Sequence, residues 1–155
     1  MTIQNQIALT PAEEQAFEWL LGAIPVADVL VLRGRAGAGK STILARVHAA
    51  RGGILLGLRT LMVSLASHRS YAIEDALLQT IERALDAYDL VIVDDLHMMT
   101  RIVSSRGSAS TYLLDAALTA ILAEAAVARK KLVFSLEGDL PWPIARRAYC
   151  AEIGG

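Results

Sequence analysis

The sequence contains little cysteine and few aromatic residues. Cys150 is its single cysteine, which excludes an intrachain disulfide framework and a cysteine-based zinc site. One unpaired cysteine is typical of a reduced compartment, so we expect a cytoplasmic protein. Aromatic residues make up 5% of the chain, and they do not alternate with basic residues as they do on many nucleic-acid-binding surfaces.

The sequence also lacks a dominant charge sign and a long apolar run. Fifteen basic and 16 acidic side chains give a formal net charge of −1, so general nucleic-acid affinity is not predicted. The longest apolar candidate, residues 116–128, is interrupted by Thr119 and Glu124 and is too short for a membrane span, which needs roughly 20 residues. No basic region followed by an apolar core marks a signal peptide.

The abundant residues are hydrophobic. They make up 54% of the 155 residues, and the mean hydropathy is +0.43. This length suffices for one domain with a substantial core. A sheet of parallel strands buried on both faces has continuous apolar strands, so we expect a single α/β domain over residues 1–155.

A glycine-rich segment follows the first apolar strand. Residues 34–41 match the phosphate-binding pattern G-x-x-x-x-G-K-S, in which glycines let the backbone turn its N–H groups toward an anion. A helix begins at the end of the loop and adds the positive end of its dipole. The pattern predicts that Lys40 reaches the β- and γ-phosphates of a nucleotide and that Ser41 ligates Mg²⁺. The predicted nucleotide-binding residues are Gly34, Arg35, Ala36, Gly37, Ala38, Gly39, Lys40, Ser41 and Thr42.

Two carboxylates follow a second apolar strand. Residues 90–93 are Leu-Val-Ile-Val, and Asp94 and Asp95 come directly after them. Ligands of open α/β sheets bind at the carboxyl ends of the strands, so both aspartates should lie near the glycine-rich loop. We expect Asp94 to hold Mg²⁺ and Asp95 to orient or polarise the attacking water.

The remaining elements are predicted from caps and apolar periodicity. Thr10 and Glu13 form a capping box that starts a helix over residues 10–21. Residues 96–109 suggest a short helical turn and a loop, with Ser110 capping a helix over 111–128. Residues 61–65 are ambiguous and could form a strand. The other predicted strands cover residues 28–32, 54–58, 132–136 and 148–153, and the other predicted helices cover 40–50 and 72–88.

The order of these elements resembles the nucleotide-binding core of AAA+ ATPases over about residues 5–153. The resemblance implies a three-layer α/β/α sandwich with five parallel strands in the order 5-1-4-3-2. It also implies that Arg146 and Arg147 act as arginine fingers on the γ-phosphate bound by a neighbouring subunit. The sensor residue at the end of strand four would be Ser135 or Glu137. His97 is predicted to be structural.

The chain departs from the family pattern in three places. The family has Asp-Glu where this chain has Asp94-Asp95, which implies slower hydrolysis. A glutamate at position 137 facing a phosphate would repel it. The helical lid that follows the fifth strand in the family has no counterpart here, so we expect an isolated core domain.

The resemblance favours an ATP-binding and ATP-hydrolysing AAA+ core with Mg²⁺. We expect it to work in a ring-forming oligomer, such as a hexamer, that remodels a protein rather than a nucleic acid. One alternative is a regulatory or structural domain that binds ATP or ADP with little hydrolysis. Another is a DNA-directed helicase loader or replication initiator, because residues 93–97 (Val-Asp-Asp-Leu-His) also resemble that group.

Overall fold

The computed structural model describes residues 8–57, 59–60, 62–63, 73–105 and 107–153. The helices are α1 (Pro11–Ala23), α2 (Lys40–Arg51), α3 (Ile73–Ala87), α4 (Leu96–Ser104), α5 (Ser108–Val127) and α6 (Trp142–Ala145). The strands are β1 (Val29–Gly34), β2 (Ile54–Leu56), β3 (Leu90–Val93), β4 (Lys131–Leu136) and β5 (Tyr149–Ile153).

The five strands form one parallel sheet. Their spatial order is β2-β3-β4-β1-β5, and each neighbouring pair is parallel. This is the predicted order 5-1-4-3-2 counted from the other edge, so that prediction is confirmed. β1 lies between β4 and β5, with Val31 opposite Phe134 on one side and Cys150 on the other.

Helices cover both faces of the sheet, as a sheet with fully apolar strands requires. Alternate strand residues point to opposite faces: Val31 and Phe134 belong to the core packed against α3, α4 and α5. Leu30 and Val133 belong to the core packed against α1 and α2. The predicted three-layer α/β/α architecture is therefore confirmed.

Helix α1 begins with the predicted capping box. The backbone N–H of Glu13 donates to the Thr10 hydroxyl at 3.3 Å, and the backbone N–H of Thr10 donates to the Glu13 carboxylate at 3.1 Å. Pro11 occupies the first turn, where its missing N–H would have no helical partner. The helix packs on α2 and β5.

Two local predictions were wrong. The segment expected to be a short turn and a loop contains the nine-residue helix α4, because Leu96, Met99 and Val103 supply an apolar stripe that is buried in the core. Helix α5 begins at Ser108 after Gly107, so its start is earlier than the predicted cap at Ser110.

The possible strand over residues 61–65 is not supported where the structure describes that segment. Met62 and Val63 are helical and exposed. The rest of that prediction lies outside the described residues. Within the described part of the chain, no helix is both long and apolar enough to span a membrane.

Candidate active site

The carboxyl ends of β1, β3 and β4 meet around one cavity. The cavity has a volume of about 460 Å³. Such an edge, beside the strand where the order reverses, is where open α/β sheets bind ligands. The lining consists of most of the glycine-rich loop and three side chains from the neighbouring strand ends: Ala36, Gly37, Gly39, Lys40, Ser41, Thr42, Asp95, His97 and Glu137.

The loop adopts a conformation that requires glycine at two positions. Gly37 has φ 80° and Gly39 has φ 93°, both in the left-handed region that side chains disfavour. Gly39 is the N-cap of α2, so the first N–H groups of this helix have no helical acceptor. Those N–H groups belong to residues that line the cavity, which gives the cavity an anion-attracting wall.

Lys40 is folded back over the loop. The residue is 6% exposed, and its Nζ donates to the carbonyl oxygens of Gly34 at 2.5 Å and Arg35 at 2.7 Å. An ammonium group has three N–H donors. Two of them hold the side chain against the loop, and the third remains for an anion in the cavity.

Asp94 is held by three donors that come from three elements. The Ser41 hydroxyl, 53 residues away in sequence, donates to its Oδ2 at 2.6 Å. The backbone N–H of Asp95 donates to its Oδ1 at 3.0 Å, and the Ser135 hydroxyl donates to the same oxygen. These contacts orient the Asp94 carboxylate toward the N-terminus of α2.

Asp95 has a left-handed backbone, with φ 55° and ψ 42° at the N-cap of α4. Aspartate tolerates this conformation better than most residues, and such backbone strain concentrates at functional sites. The turn lets the chain leave β3 and enter α4 directly. Asp95 therefore lines the cavity, while Asp94 is 8% exposed.

The two candidate sensor residues have different positions. Ser135 is fully buried, and besides donating to Asp94 its Oγ accepts the backbone N–H of Asp95 at 2.9 Å. Ser135 thus contacts the side chain of Asp94 and the backbone of Asp95, and it is not among the residues that line the cavity. Glu137, two residues later, lines the cavity itself.

His97 is part of the site, although the sequence predicted only a structural role for it. The residue is 8% exposed and lines the cavity. Its Nδ1 accepts the backbone N–H of Glu137 at 3.1 Å. Burial lowers the pKa of His97, and the nearby carboxylate of Asp95 partly opposes that shift. The spacing of three residues from Asp94 was the one sequence feature that associated His97 with the site.

The oxygen donors at the Ser41–Asp94 contact fit Mg²⁺. Magnesium prefers oxygen ligands and is usually held by one or two carboxylates together with substrate phosphates and water. Among the residues that the structure describes, no cluster of three or more His, Cys, Asp or Glu side chains could hold a metal by itself. The Ser41 hydroxyl and the Asp94 carboxylate, beside the glycine-rich loop, are oxygen ligands of this kind.

The remaining predicted site residues lie outside this cavity. Gly34 and Arg35 line an adjacent cavity of about 220 Å³, while Ala38 packs against the core beside α2. Arg146 and Arg147 follow α6 and are exposed. The Arg146 guanidinium lies over the Trp142 ring, 5.6 Å from its centroid.

Solved structures resemble this chain in fold. No protein-family model matches the chain, and no curated protein sequence matches it. The DnaC helicase loader is similar with a TM-score of 0.51 and 12% identity, covering 94% of this chain and 92% of that one. The chain has a P-loop NTPase-like α/β fold. The Pif1 helicase from Candida albicans has a TM-score of 0.50 and 14% identity, covering 94% of this chain and 40% of that one.

Proposed function

We propose that the chain is a Mg²⁺-dependent ATP-binding and ATP-hydrolysing domain of the AAA+ type. The observation that carries this proposal is the contact of Ser41 with Asp94, 2.6 Å between oxygens, beside the cavity lined by Lys40 and the glycine-rich loop. Asp94 is 53 residues from Ser41 in the sequence. Together these groups would supply an anion-binding loop, a lysine and two magnesium ligands at one strand edge.

In this proposal the loop and Lys40 bind the triphosphate. The N–H groups at the start of α2 and the third N–H of Lys40 face the phosphate oxygens. Ser41 and Asp94 hold Mg²⁺, which neutralises phosphate charge when it is bound. The tight hold of Lys40 on Gly34 and Arg35 positions its charge before the nucleotide arrives, so little reorganisation is needed.

Asp95 is the proposed catalytic base. Its carboxylate orients the water that attacks the terminal phosphorus and accepts the proton of that water, while the bond to the departing diphosphate breaks. Ser135 acts as a positioning residue, because its hydroxyl joins the Asp94 carboxylate to the Asp95 backbone. Asp95 is shorter than the glutamate usual in the family, which favours slow turnover.

The test is ATP turnover beside equilibrium ATP binding for wild type and Asp95→Asn. We expect Asp95→Asn to lower turnover by at least about 100-fold, the lower range for a positioned base, while ATP affinity changes little. Asp89→Asn is the matched control, since Asp89 pairs with Lys130 on the surface. Tight binding with no wild-type turnover would instead support the alternative of a regulatory domain with little hydrolysis.

A second candidate function is action on DNA or on a helicase. It is favoured by the two solved structures described above, a helicase loader and a helicase. Under this alternative the domain would still assemble with other subunits. Its test is binding to single-stranded DNA with ATP present, at rising salt. Binding that weakens with salt supports it; no binding at low salt supports the leading expectation of a protein substrate.

A further inference from the structure

A hydrogen bond between α4 and the end of β4 determines which nitrogen of His97 carries its proton. Nδ1 accepts the backbone N–H of Glu137 at 3.1 Å, so Nδ1 has no proton. A neutral imidazole then carries its single hydrogen on Nε2. Because burial lowers the pKa of His97, the neutral form is favoured in the folded protein.

The His97 Nε2 and the Glu137 carboxylate face each other at the cavity. The distance from Nε2 to Glu137 Oε2 is 4.0 Å, which is longer than a hydrogen bond. Both residues line the same cavity as Lys40 and Ser41. A proton donor and a negative charge therefore lie side by side, with the Nε2–H incompletely satisfied by its neighbour.

We propose that His97 and Glu137 set the preference of the site for ATP over ADP. The His97 Nε2–H donates to the terminal phosphate of ATP, and the Glu137 carboxylate competes for that donor and repels the phosphate. The pair therefore has opposite effects on the same ligand group. This inference rests on the proposed function, because it assumes that the nucleotide occupies the cavity.

Three substitutions distinguish the ligand contacts of His97 and Glu137 from the hydrogen bond that joins α4 to the end of β4. Asparagine at position 97 places its amide oxygen near Nδ1, so His97→Asn retains an acceptor for the Glu137 N–H and removes the Nε2–H. Glutamine reaches farther, so His97→Gln retains a donor near Nε2 and loses the Nδ1 acceptor. Glu137→Gln removes the negative charge and leaves the backbone N–H of residue 137 in place.

The experiment is titration calorimetry with Mg²⁺, using ADP and a β,γ-imido ATP analogue that is not hydrolysed. We expect His97→Asn to weaken the analogue about tenfold, typical for loss of a hydrogen bond to a charged group, with ADP affinity within about twofold of wild type. Glu137→Gln should strengthen the analogue relative to ADP by about threefold or more, since one nearby like charge is removed. His97→Gln should keep an affinity ratio closer to that of wild type.

Two controls make the same chemical changes elsewhere. His48→Asn alters a histidine that contacts the Gly53 carbonyl, and Glu18→Gln removes a charge on the exposed side of α1; neither should change the affinity ratio.

An unchanged ratio in both His97→Asn and Glu137→Gln would overturn the inference. An equal loss in His97→Asn and His97→Gln would also overturn it, because that result indicates a merely structural role. If wild type binds neither nucleotide, the proposed function itself fails.

Discussion

The backbone conformation is the main reason that position 39 favours glycine, and a nearby carboxylate adds to it. The Gly39 φ of 93° is left-handed, and a Cβ at this position would lie 2.5 Å from Glu13 Oε1. The Glu13 carboxylate is itself held by the Thr10 N–H in the capping box. A side chain at position 39 would therefore meet both backbone strain and the Glu13 carboxylate of α1.

We predict that Gly39→Ala destabilises the protein by about 1–3 kcal/mol, the usual range for a strained backbone. The measurement is the urea unfolding midpoint. In a Glu13→Ala background the same substitution should cost less, because only the backbone strain remains. Gly22→Ala is the control: nothing lies within 4 Å of its added Cβ, so a helical alanine should be neutral or stabilising. Equal costs in both backgrounds would contradict the clash.

The lowered pKa of His97 predicts a pH dependence of stability. Burial and the cations Arg101 and Lys40 lower it, while Asp95 and Glu137 oppose them. The unfolded chain therefore binds the proton more readily. The contribution of the neutral His97 side chain to the free energy of unfolding is complete above the unfolded pKa of about 6.5. It is lost as pH falls through the lower pKa of the folded protein.

The measurement is the urea midpoint of wild type and His97→Asn at about pH 7.5 and about pH 5.5, on either side of the unfolded value. Wild type should lose more stability on acidification than the variant does. Parallel losses in the two proteins would show that other groups account for the pH dependence.

At the element scale, the capping box stabilises the start of α1, close to the glycine-rich loop. Thr10→Ala removes the acceptor of the Glu13 N–H and should cost about 1 kcal/mol in the free energy of unfolding, the usual value for a lost N-cap. Urea denaturation measures it. Thr119→Ala is the control, because the exposed Thr119 hydroxyl donates to the Asp115 carbonyl within α5. A Thr10→Ala variant as stable as the control would contradict this role of the cap.

The elements with a strong local signal could be predicted from the sequence, and weaker ones could not. The strand before Asp94 is a continuous apolar run, and the start of α1 has a complete cap. Helix α4 was missed because its burial depends on the core beneath the sheet rather than on its own cap: Asp95, at its N-cap, makes no side-chain cap bond.

At the scale of the whole molecule, the strand order was predictable because the resemblance to AAA+ cores rests on the order of elements. The grouping of Lys40, Ser41 and Asp94 followed from that order. The contact of His97 with the Glu137 backbone was not predictable, since it joins residues 40 positions apart through packing that no local pattern encodes.

The resemblance to AAA+ cores implies that Arg146 and Arg147, which are exposed here, would complete the site of a neighbouring chain. We expect turnover per chain to rise with protein concentration and to fall by at least about 1,000-fold in Arg146→Ala/Arg147→Ala, the lower range for an arginine finger, while ATP affinity holds. Turnover independent of both would contradict a composite site. Arg129→Ala, at an exposed position after α5, is the control.

The most direct test of the central claim is equilibrium binding of ATP with Mg²⁺ to wild type and to Lys40→Ala, measured by calorimetry. The account predicts saturable one-to-one binding that weakens at least about tenfold in the variant, as expected when a charged hydrogen-bond donor is lost. Lys130→Ala, which removes a surface ion pair with Asp89, should bind like wild type. ATP affinity unchanged in Lys40→Ala would contradict the assignment of this cavity to the nucleotide.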